Sequence, residues 1–216
     1  IHHRVERNLA IVSQVLGRPL AWVDPGLPEA PGAAERAAAV LDQAGLPASG
    51  YALLHPGTSA FGAFKRWPAD RFGDLADRLR DRGLAVAVSA SEAERAMAES
   101  VASAANADDV RPLVTPDLET LGEVIRRAAL FVAADTGPLH FAALAGTPLV
   151  GLFGPKDAEV YGPYGRRADG TPGRLDVVVR DDVACRPCTL RRCADPVCMH
   201  GLDAARVADV AFARLG

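Results

Sequence analysis

The chain has 216 residues, of which 49% are hydrophobic, so it can bury one substantial core as one domain with an appendage. Lys and Arg number 24 against 27 Asp and Glu, and this near balance gives no electrostatic reason to expect a nucleic-acid partner. No apolar run approaches the roughly 18 residues that a transmembrane segment needs, and the N-terminus lacks the basic-then-apolar order of a signal peptide. The composition therefore predicts a cytoplasmic protein.

The first 48 residues predict two helices joined by a linker. Apolar side chains recur at helical spacing over residues 5–16, and Gly17 supplies a stop. Three prolines over residues 25–31 exclude a continued helix and indicate a linker. An alanine-rich stretch then predicts a short helix over residues 33–44.

From residue 51 onward, short apolar runs alternate with helical patterns. Strands are predicted over residues 51–55, 84–89, 130–134, 148–153 and 175–180, with a further candidate over 110–114. Helices are predicted near residues 70–81, 92–104, 117–128 and 139–145. Strands without polar alternation are buried on both faces, so we expect a doubly wound α/β domain, a Rossmann-like parallel sheet with helices on both faces. Ligands of such sheets bind at the carboxyl ends of the strands.

The loop after the first strand combines glycines, hydroxyls and positive charge. Thr58 and Ser59 can donate hydrogen bonds to phosphate oxygens, and Lys65 with Arg66 adds two positive charges. The loop is neither a Walker A sequence nor a G-x-G-x-x-G fingerprint. Composition alone leaves two interpretations open, an anion site or an ordinary glycine-rich turn with a solvated Lys-Arg pair.

The loop after the strand over residues 130–134 predicts the start of a helix. Thr136 can cap a helix with Pro138 in its first turn, so free backbone N–H groups at residues 137–139 would face a ligand above the sheet. His140 lies close enough to donate to an anion. Alternatively, Asp135 is only a cap and His140 a packed surface histidine. Because both loops end strands of one sheet, a nucleotide diphosphate becomes the leading ligand class.

Four sequence motifs resemble glycosyltransferase family 9, the ADP-heptose:lipopolysaccharide heptosyltransferases. They are His55-Pro56-Gly57-Thr58 through Lys65-Arg66-Trp67-Pro68, Asp135-Thr136-Gly137-Pro138-Leu139-His140, Gly151-Leu152-Phe153-Gly154-Pro155, and Tyr161-Gly162-Pro163-Tyr164-Gly165. The resemblance covers nearly the whole chain and matches the C-terminal, donor-binding domain of the family's two-domain GT-B architecture. It implies that residues 1–48 are the end of the N-terminal domain with interdomain linker helices, and that residues 49–216 are the donor domain.

The resemblance also implies roles for individual residues. The residues expected to hold the diphosphate and the heptose hydroxyls are Thr58, Ser59, Lys65, Asp135, Thr136, Gly137 and His140. Lys65 and Asp135 are the catalytic candidates among them. Glu94 resembles an acidic residue near the ADP ribose, and the backbone around residues 115–118 would face adenine.

The reaction implied by the resemblance is transfer of heptose from ADP-heptose to a lipopolysaccharide core or related glycan acceptor, with inversion. Lys65 and the helix N-terminus would stabilise the departing ADP, so no divalent metal is required. In the family the general base is an aspartate of the N-terminal domain, which precedes the residues present here. That half is a possible partner on a separate chain, and the enzyme would act in the cytoplasm, where a peripheral position at the inner face of the membrane is expected.

All four cysteines fall in one segment, with the spacing Cys185-x2-Cys188-x4-Cys193-x4-Cys198. Many family members carry a similar segment. Four thiolates in so short a span can hold a structural zinc or a cluster, and the arginines among them favour thiolate formation. The spacing differs from common zinc ribbons and ferredoxins. Reduced thiols or a local disulfide therefore stay open as alternatives.

Two other functions compete with the transferase interpretation. One is a nucleotide-sugar-binding module, or a partial chain, that recognises an ADP-sugar without turnover by itself. The other is an unrelated Rossmann oxidoreductase, which would need the glycine fingerprint that this sequence lacks.

Overall fold

The computed structural model of the protein describes residues 3–167, 169–175, 177–179, 183–190 and 192–216. The chain begins with helix α1 (Arg4–Leu16), which ends at Gly17, a glycine with φ of 65°. A left-handed C-cap of this kind favours glycine because a Cβ atom would be strained there. Residues 18–30 form neither helix nor strand, and helix α2 (Ala33–Gln43) follows. The two predicted helices and the linker between them are confirmed.

Eight strands follow in the described part of the chain. They are β1 (Ala52–His55), β2 (Val86–Ala90), β3 (Arg111–Val114), β4 (Leu130–Ala134), β5 (Leu149–Phe153), β6 (Tyr164–Arg166), β7 (Pro172–Arg174) and β8 (Val177–Val179). Six of them form one parallel sheet in the order β3-β2-β1-β4-β5-β8, and β6 pairs with β7 as a separate antiparallel hairpin. The predicted doubly wound sheet is confirmed.

The remaining helices cover the two faces of this sheet. They are α3 (Ala69–Asp81), α4 (Arg95–Ala104), α5 (Leu118–Arg127), α6 (Gly137–Ala145), α7 (Ala158–Tyr161), α8 (Val197–His200) and α9 (Ala204–Leu215), with 3₁₀ turns at Ala60–Lys65 and Glu92–Glu94. Helices α3, α4 and α9 pack on one face of the sheet. Helices α2, α5 and α6 pack on the other.

The central strands are buried at every position, which explains their uninterrupted apolar sequences. Strands β1, β2, β4 and β5 have no exposed residue, and successive side chains alternate between the two hydrophobic clusters. Leu54 and Val132 belong to the cluster under α3 and α9, whereas Leu53 and Phe131 belong to the cluster under α5 and α6. Pro112 lies in β3, at the sheet edge, where a missing N–H is tolerated.

Several elements differ from the sequence prediction. The helix predicted from residue 92 starts as a 3₁₀ turn, and only Val177–Val179 of the strand predicted over 175–180 is strand, with residues 176 and 180 outside the described residues. Helix α9 was not predicted, because its buried positions are mostily small side chains and give a weak apolar pattern. Within the part of the chain that the structure describes, no helix is both long and apolar enough to cross a membrane.

Gly73 permits the close approach of α3 to α4. A Cβ atom at this position would lie 2.7 Å from the backbone carbonyl of Ala104. We predict that Gly73→Ala lowers the free energy of unfolding by about 1–3 kcal/mol, because a packed backbone cannot move aside cheaply. Urea denaturation measures this loss.

Gly122→Ala is the matched control for this substitution. Gly122 also lies inside a helix, but its added Cβ would meet the Leu27 side chain at 3.1 Å, and a side-chain end can rotate away. The Gly73 variant should lose at least about 1 kcal/mol more than the Gly122 variant. Equal losses would show that the α3–α4 approach does not limit stability.

Candidate functional site

The strand order reverses between β1 and β4, and a cavity opens at that point. Strand β1 lies between β2 and β4, so the loops that follow β1 and β4 leave neighbouring strands at the same edge of the sheet. The central cavity, as we call it, has a volume of about 700 Å³. All the predicted donor-binding residues line it: Thr58, Ser59, Lys65, Glu94, Asp135, Thr136, Gly137 and His140, together with residues 115–118.

An ion pair connects the two loops across the central cavity. The Nζ atom of Lys65 lies 2.5 Å from Oδ2 of Asp135 and 3.4 Å from its backbone oxygen. Both side chains are mostly buried, with 20% and 15% of their surfaces exposed. Reduced contact with water strengthens such a pair relative to a surface ion pair. The two catalytic candidates therefore hold each other in place at the mouth of the site.

The position of Lys65 depends on the tryptophan that follows it. Lys65 ends the 3₁₀ turn, and Trp67 is buried with only 3% of its surface exposed. The Trp67 indole N–H donates to the Leu202 carbonyl at 3.0 Å, and its ring packs edge-on against Phe72. The sequence Lys65-Arg66-Trp67-Pro68 thus places a charged side chain at the cavity by burying its neighbour in the core.

Thr58 keeps a hydroxyl proton available for a ligand. Its Oγ1 accepts a hydrogen bond from Nε of Arg66 at 3.0 Å, which leaves the hydroxyl hydrogen free to donate. Thr58 is buried at the cavity wall, whereas Ser59 is exposed. Arg66 therefore orients Thr58, a role that the sequence alone did not indicate.

Helix α6 directs its N-terminus at the central cavity. Thr136 is the N-cap, as predicted, but its side chain makes no capping hydrogen bond. Its Oγ1 is buried and finds no hydrogen-bond partner among the described residues. A buried, unpaired hydroxyl is costly, and a ligand acceptor at the cavity would satisfy it. The expectation of N–H donors at all of residues 137–139 was wrong in one respect, because Pro138 has no N–H and only Gly137 and Leu139 can donate.

His140 is a neutral donor beside the Lys65–Asp135 pair. It is partly buried, and this burial lowers the pKa of its imidazole, an effect that Asp135 opposes and that His3 and Lys65 reinforce. A neutral imidazole still carries one N–H that can donate to a phosphate or a hydroxyl.

Glu94 forms the far side of the central cavity. Its Oε2 accepts from the Ser91 hydroxyl at 2.9 Å, and its carboxylate packs against Gly57. A Cβ at position 57 would lie 2.9 Å from Oε1 of Glu94, so glycine is needed for this approach. Residues 115–118 lie beside it, where the Asp117 side chain caps α5 by accepting from Thr120 N.

His55 is a cavity residue that the sequence analysis did not select. It ends β1, and its Nδ1 lies 2.9 Å from the Ser89 hydroxyl, which donates to the Leu54 carbonyl. Burial lowers the pKa of His55 to about 4, although Glu94 and Ser89 act in the opposite direction. Its place as the last residue of a strand next to the strand reversal was the available signal.

The buried His55 should make stability depend on pH. An unfolded histidine has a pKa of about 6.5, against about 4 in the folded protein, so the unfolded state binds the extra proton between these values. The free energy of unfolding should then fall as pH is lowered from 6.5 to 4, by up to about 3 kcal/mol from this residue. Urea denaturation across this range should show a smaller fall for His55→Gln. The exposed His200 provides the control His200→Gln, and equal slopes in both variants would contradict the assignment.

The four cysteines are free thiols with different environments. Cys185 and Cys193 are exposed, Cys188 is partly buried and Cys198 is buried. Burial raises the pKa of the Cys198 thiol, and Cys185 adds to this effect. Among the described residues, no three His, Cys, Asp or Glu side chains are grouped as they would be around a metal ion. A zinc or cluster at this segment stays a prediction.

The zinc hypothesis predicts about one metal ion per chain in protein purified anaerobically. Elemental analysis measures this directly. Cys198→Ser should lose the metal because a serine hydroxyl is a poor ligand for zinc. A metal-free wild-type protein, or a metal retained by the serine variant, would contradict the hypothesis.

Comparison with known proteins identifies the family. The sequence model of glycosyltransferase family 9 (heptosyltransferase) matches residues 1–188. The chain is 30% identical to lipopolysaccharide heptosyltransferase 1 of Pseudomonas aeruginosa over 95% of this chain and 57% of that protein. It is also 30% identical to lipopolysaccharide heptosyltransferase 3 of Escherichia coli K12 over 75% of this chain and 47% of that protein. The chain thus spans about half the length of these curated relatives.

Solved structures show the same fold. A family 9 glycosyltransferase from Veillonella parvula superposes with a TM-score of 0.76 at 19% identity, over 99% of this chain and 60% of that one. An E. coli heptosyltransferase solved with ADP superposes with a TM-score of 0.66 at 22% identity, over 99% and 57%. These similarities confirm the predicted Rossmann-like domain of the GT-B type. Since the family match covers residues 1–188 of 216, the chain belongs to glycosyltransferase family 9.

Proposed function

We propose that this chain is the donor-binding half of an inverting glycosyltransferase, which transfers heptose from ADP-heptose to a lipopolysaccharide core or related glycan acceptor. Family membership and the names of the curated relatives support the reaction class. The observation that carries the proposal is the central cavity, where Lys65, Asp135 and the start of α6 meet at the strand reversal. Rossmann-like sheets bind nucleotides at this position.

The nucleoside occupies the β2–β3 side of the central cavity in this proposal. Glu94 follows β2, where acidic residues of Rossmann-like domains accept hydrogen bonds from ribose hydroxyls. Its Oε1 makes no hydrogen bond among the described residues, so it has the capacity to accept one. Residues 115–118 form the neighbouring wall, at which the adenine would lie.

The diphosphate lies between the two loops. Thr58 and Ser59 donate from one side, and the Gly137 and Leu139 N–H groups with the Thr136 hydroxyl donate from the other. The partial positive charge of the α6 N-terminus favours an anion at this point. A phosphate oxygen would also satisfy the unpaired Thr136 hydroxyl.

Lys65 and α6 stabilise the departing ADP. When the acceptor oxygen attacks the anomeric carbon, the bond from that carbon to the diphosphate breaks and negative charge grows on ADP. The Lys65 ammonium and the α6 N–H groups lie where this charge develops, and they do so without a divalent metal. Asp135 holds the ammonium at the site and accepts from sugar hydroxyls. The acceptor proton passes to the aspartate expected in the N-terminal domain.

Residues 1–48 are the end of the N-terminal domain and the linker in this proposal. None of the residues of α1 is buried, and its apolar side chains Ile11, Val12, Val15 and Leu16 are 45–80% exposed. An apolar helix face of this kind normally packs against protein. Helix α2 instead buries Ala37 and Leu41 against α5 and so attaches the linker to the donor domain. The N-terminal half, as part of the same protein or as a separate chain, binds the glycan acceptor at the inner face of the cytoplasmic membrane.

Calorimetric titration with ADP, using UDP-glucose and NAD as competitors in selectivity, tests donor binding. We expect Lys65→Ala to weaken ADP binding about 10- to 100-fold, because a charge-assisted contact with the diphosphate is lost. His140→Ala should weaken it about 2- to 10-fold, through loss of a neutral donor.

The chain offers a matched control for each variant. Lys156 is the other lysine, and its Nζ donates to the Cys188 carbonyl away from the central cavity. His200 is exposed on α8. Lys156→Ala and His200→Ala should bind ADP like the wild type, and thermal unfolding should show that all four variants are folded. Unchanged ADP affinity in both Lys65 and His140 variants would contradict the site.

A further inference from the structure

A second cavity adjoins the central cavity. This side cavity, as we call it, has a volume of about 410 Å³ and lies between the start of α1, the linker and the segment over residues 160–164. Asp135 and His140 line both cavities. A group attached to a ligand in the central cavity can therefore reach into the side cavity without leaving the protein surface.

The order of the strands gives the two cavities a direction. The central cavity runs from residues beyond β3 and β2 to the loops after β1 and β4, and the side cavity continues toward the segment that follows β5. Under the proposed function, on which this inference rests, the nucleoside lies at the first end and the diphosphate lies in the middle. The next group along this line is the sugar.

The side cavity has the chemical character of a sugar site. The rings of Trp22 and Tyr164 meet edge to face with 5.7 Å between centroids, and His3 lies 4.7 Å from Tyr164. Aromatic rings pack against the C–H face of a sugar, and polar side chains bind its hydroxyls. Asn8 and Arg4 supply such polar groups on the opposite wall, next to Asp135.

The wall of the side cavity is held in place without a ligand. The Nε2–H of His3 donates to the Gly162 carbonyl at 2.9 Å, and its Nδ1 accepts from Val5 N at 3.2 Å. These two bonds require the neutral tautomer and use both ring nitrogens. The Tyr164 hydroxyl donates to Glu6 at 3.4 Å. His3 thus fixes α1 to the 160–164 segment and keeps the aromatic rings in position, which limits the ordering cost of binding.

We propose that the side cavity binds the sugar of a nucleoside-diphosphate sugar and that it selects the donor by that sugar. Asn8 donates to and accepts from sugar hydroxyls, and the ring of Trp22 contacts the apolar face. Asp135 and His140 lie where the sugar passes from one cavity to the other. The motif Tyr161-Gly162-Pro163-Tyr164-Gly165 gains a role as the outer wall of this site.

Calorimetry with two probes, ADP and ADP-heptose, separates the sugar contribution from nucleotide binding. The wild type should bind ADP-heptose more tightly than ADP. Asn8→Ala and Trp22→Ala should each keep the ADP affinity within about twofold and weaken ADP-heptose binding about three- to tenfold. Val23→Ala is the matched control, because Val23 neighbours Trp22, is 79% exposed and lines neither cavity.

Each other outcome overturns the inference in a recognisable way. Equal wild-type affinities for the two probes, or variants that bind ADP-heptose as the wild type does, would leave the nucleotide site intact and remove the sugar site. Variants that lose ADP and ADP-heptose binding equally would assign the side cavity to the nucleotide or to folding, and thermal unfolding separates these two. A wild type that binds neither probe would overturn the proposed function as well.

Discussion

The candidate site depends on the pairing of β1 with β4 at the centre of a parallel sheet. Because both strands are buried on both faces, their side chains contribute to the core and their loops must supply the chemistry. The reversal of strand order at this pair separates the helices that follow and leaves a crevice between them. The Lys65–Asp135 ion pair closes this crevice and joins the two loops.

The functional side chains are held by neighbours buried in the core. Trp67 fixes the residue sequence that carries Lys65, Arg66 orients Thr58, and Ser89 fixes His55. Positioning of this kind reduces the loss of side-chain entropy when a ligand binds. The site is therefore largely preformed, and the buried hydroxyl of Thr136 is the group that still lacks a partner among the described residues.

Charge at the site is balanced in a way that suits a diphosphate donor. Asp135 neutralises Lys65 in the absence of ligand, and His140 and His55 are uncharged near neutral pH because burial lowers the pKa of each. A diphosphate would share Lys65 with Asp135 and would gain the α6 N-terminus, whose dipole needs no proton. Selectivity for the whole donor then depends on the sugar, which lies beyond Asp135 at the side cavity in our proposal.

The sequence by itself determined the sheet, most helices and the two loops that line the central cavity, because apolar periodicity and glycine, proline and capping residues are local signals. Local patterns also selected Lys65, Asp135 and His140. Only the tertiary structure decided which residues meet across long separations: the 2.5 Å approach of Lys65 to Asp135, the burial of His55 and the link from His3 to Gly162. The last of these joins residues 159 positions apart, and a distance between elements is fixed by packing, which no local pattern encodes.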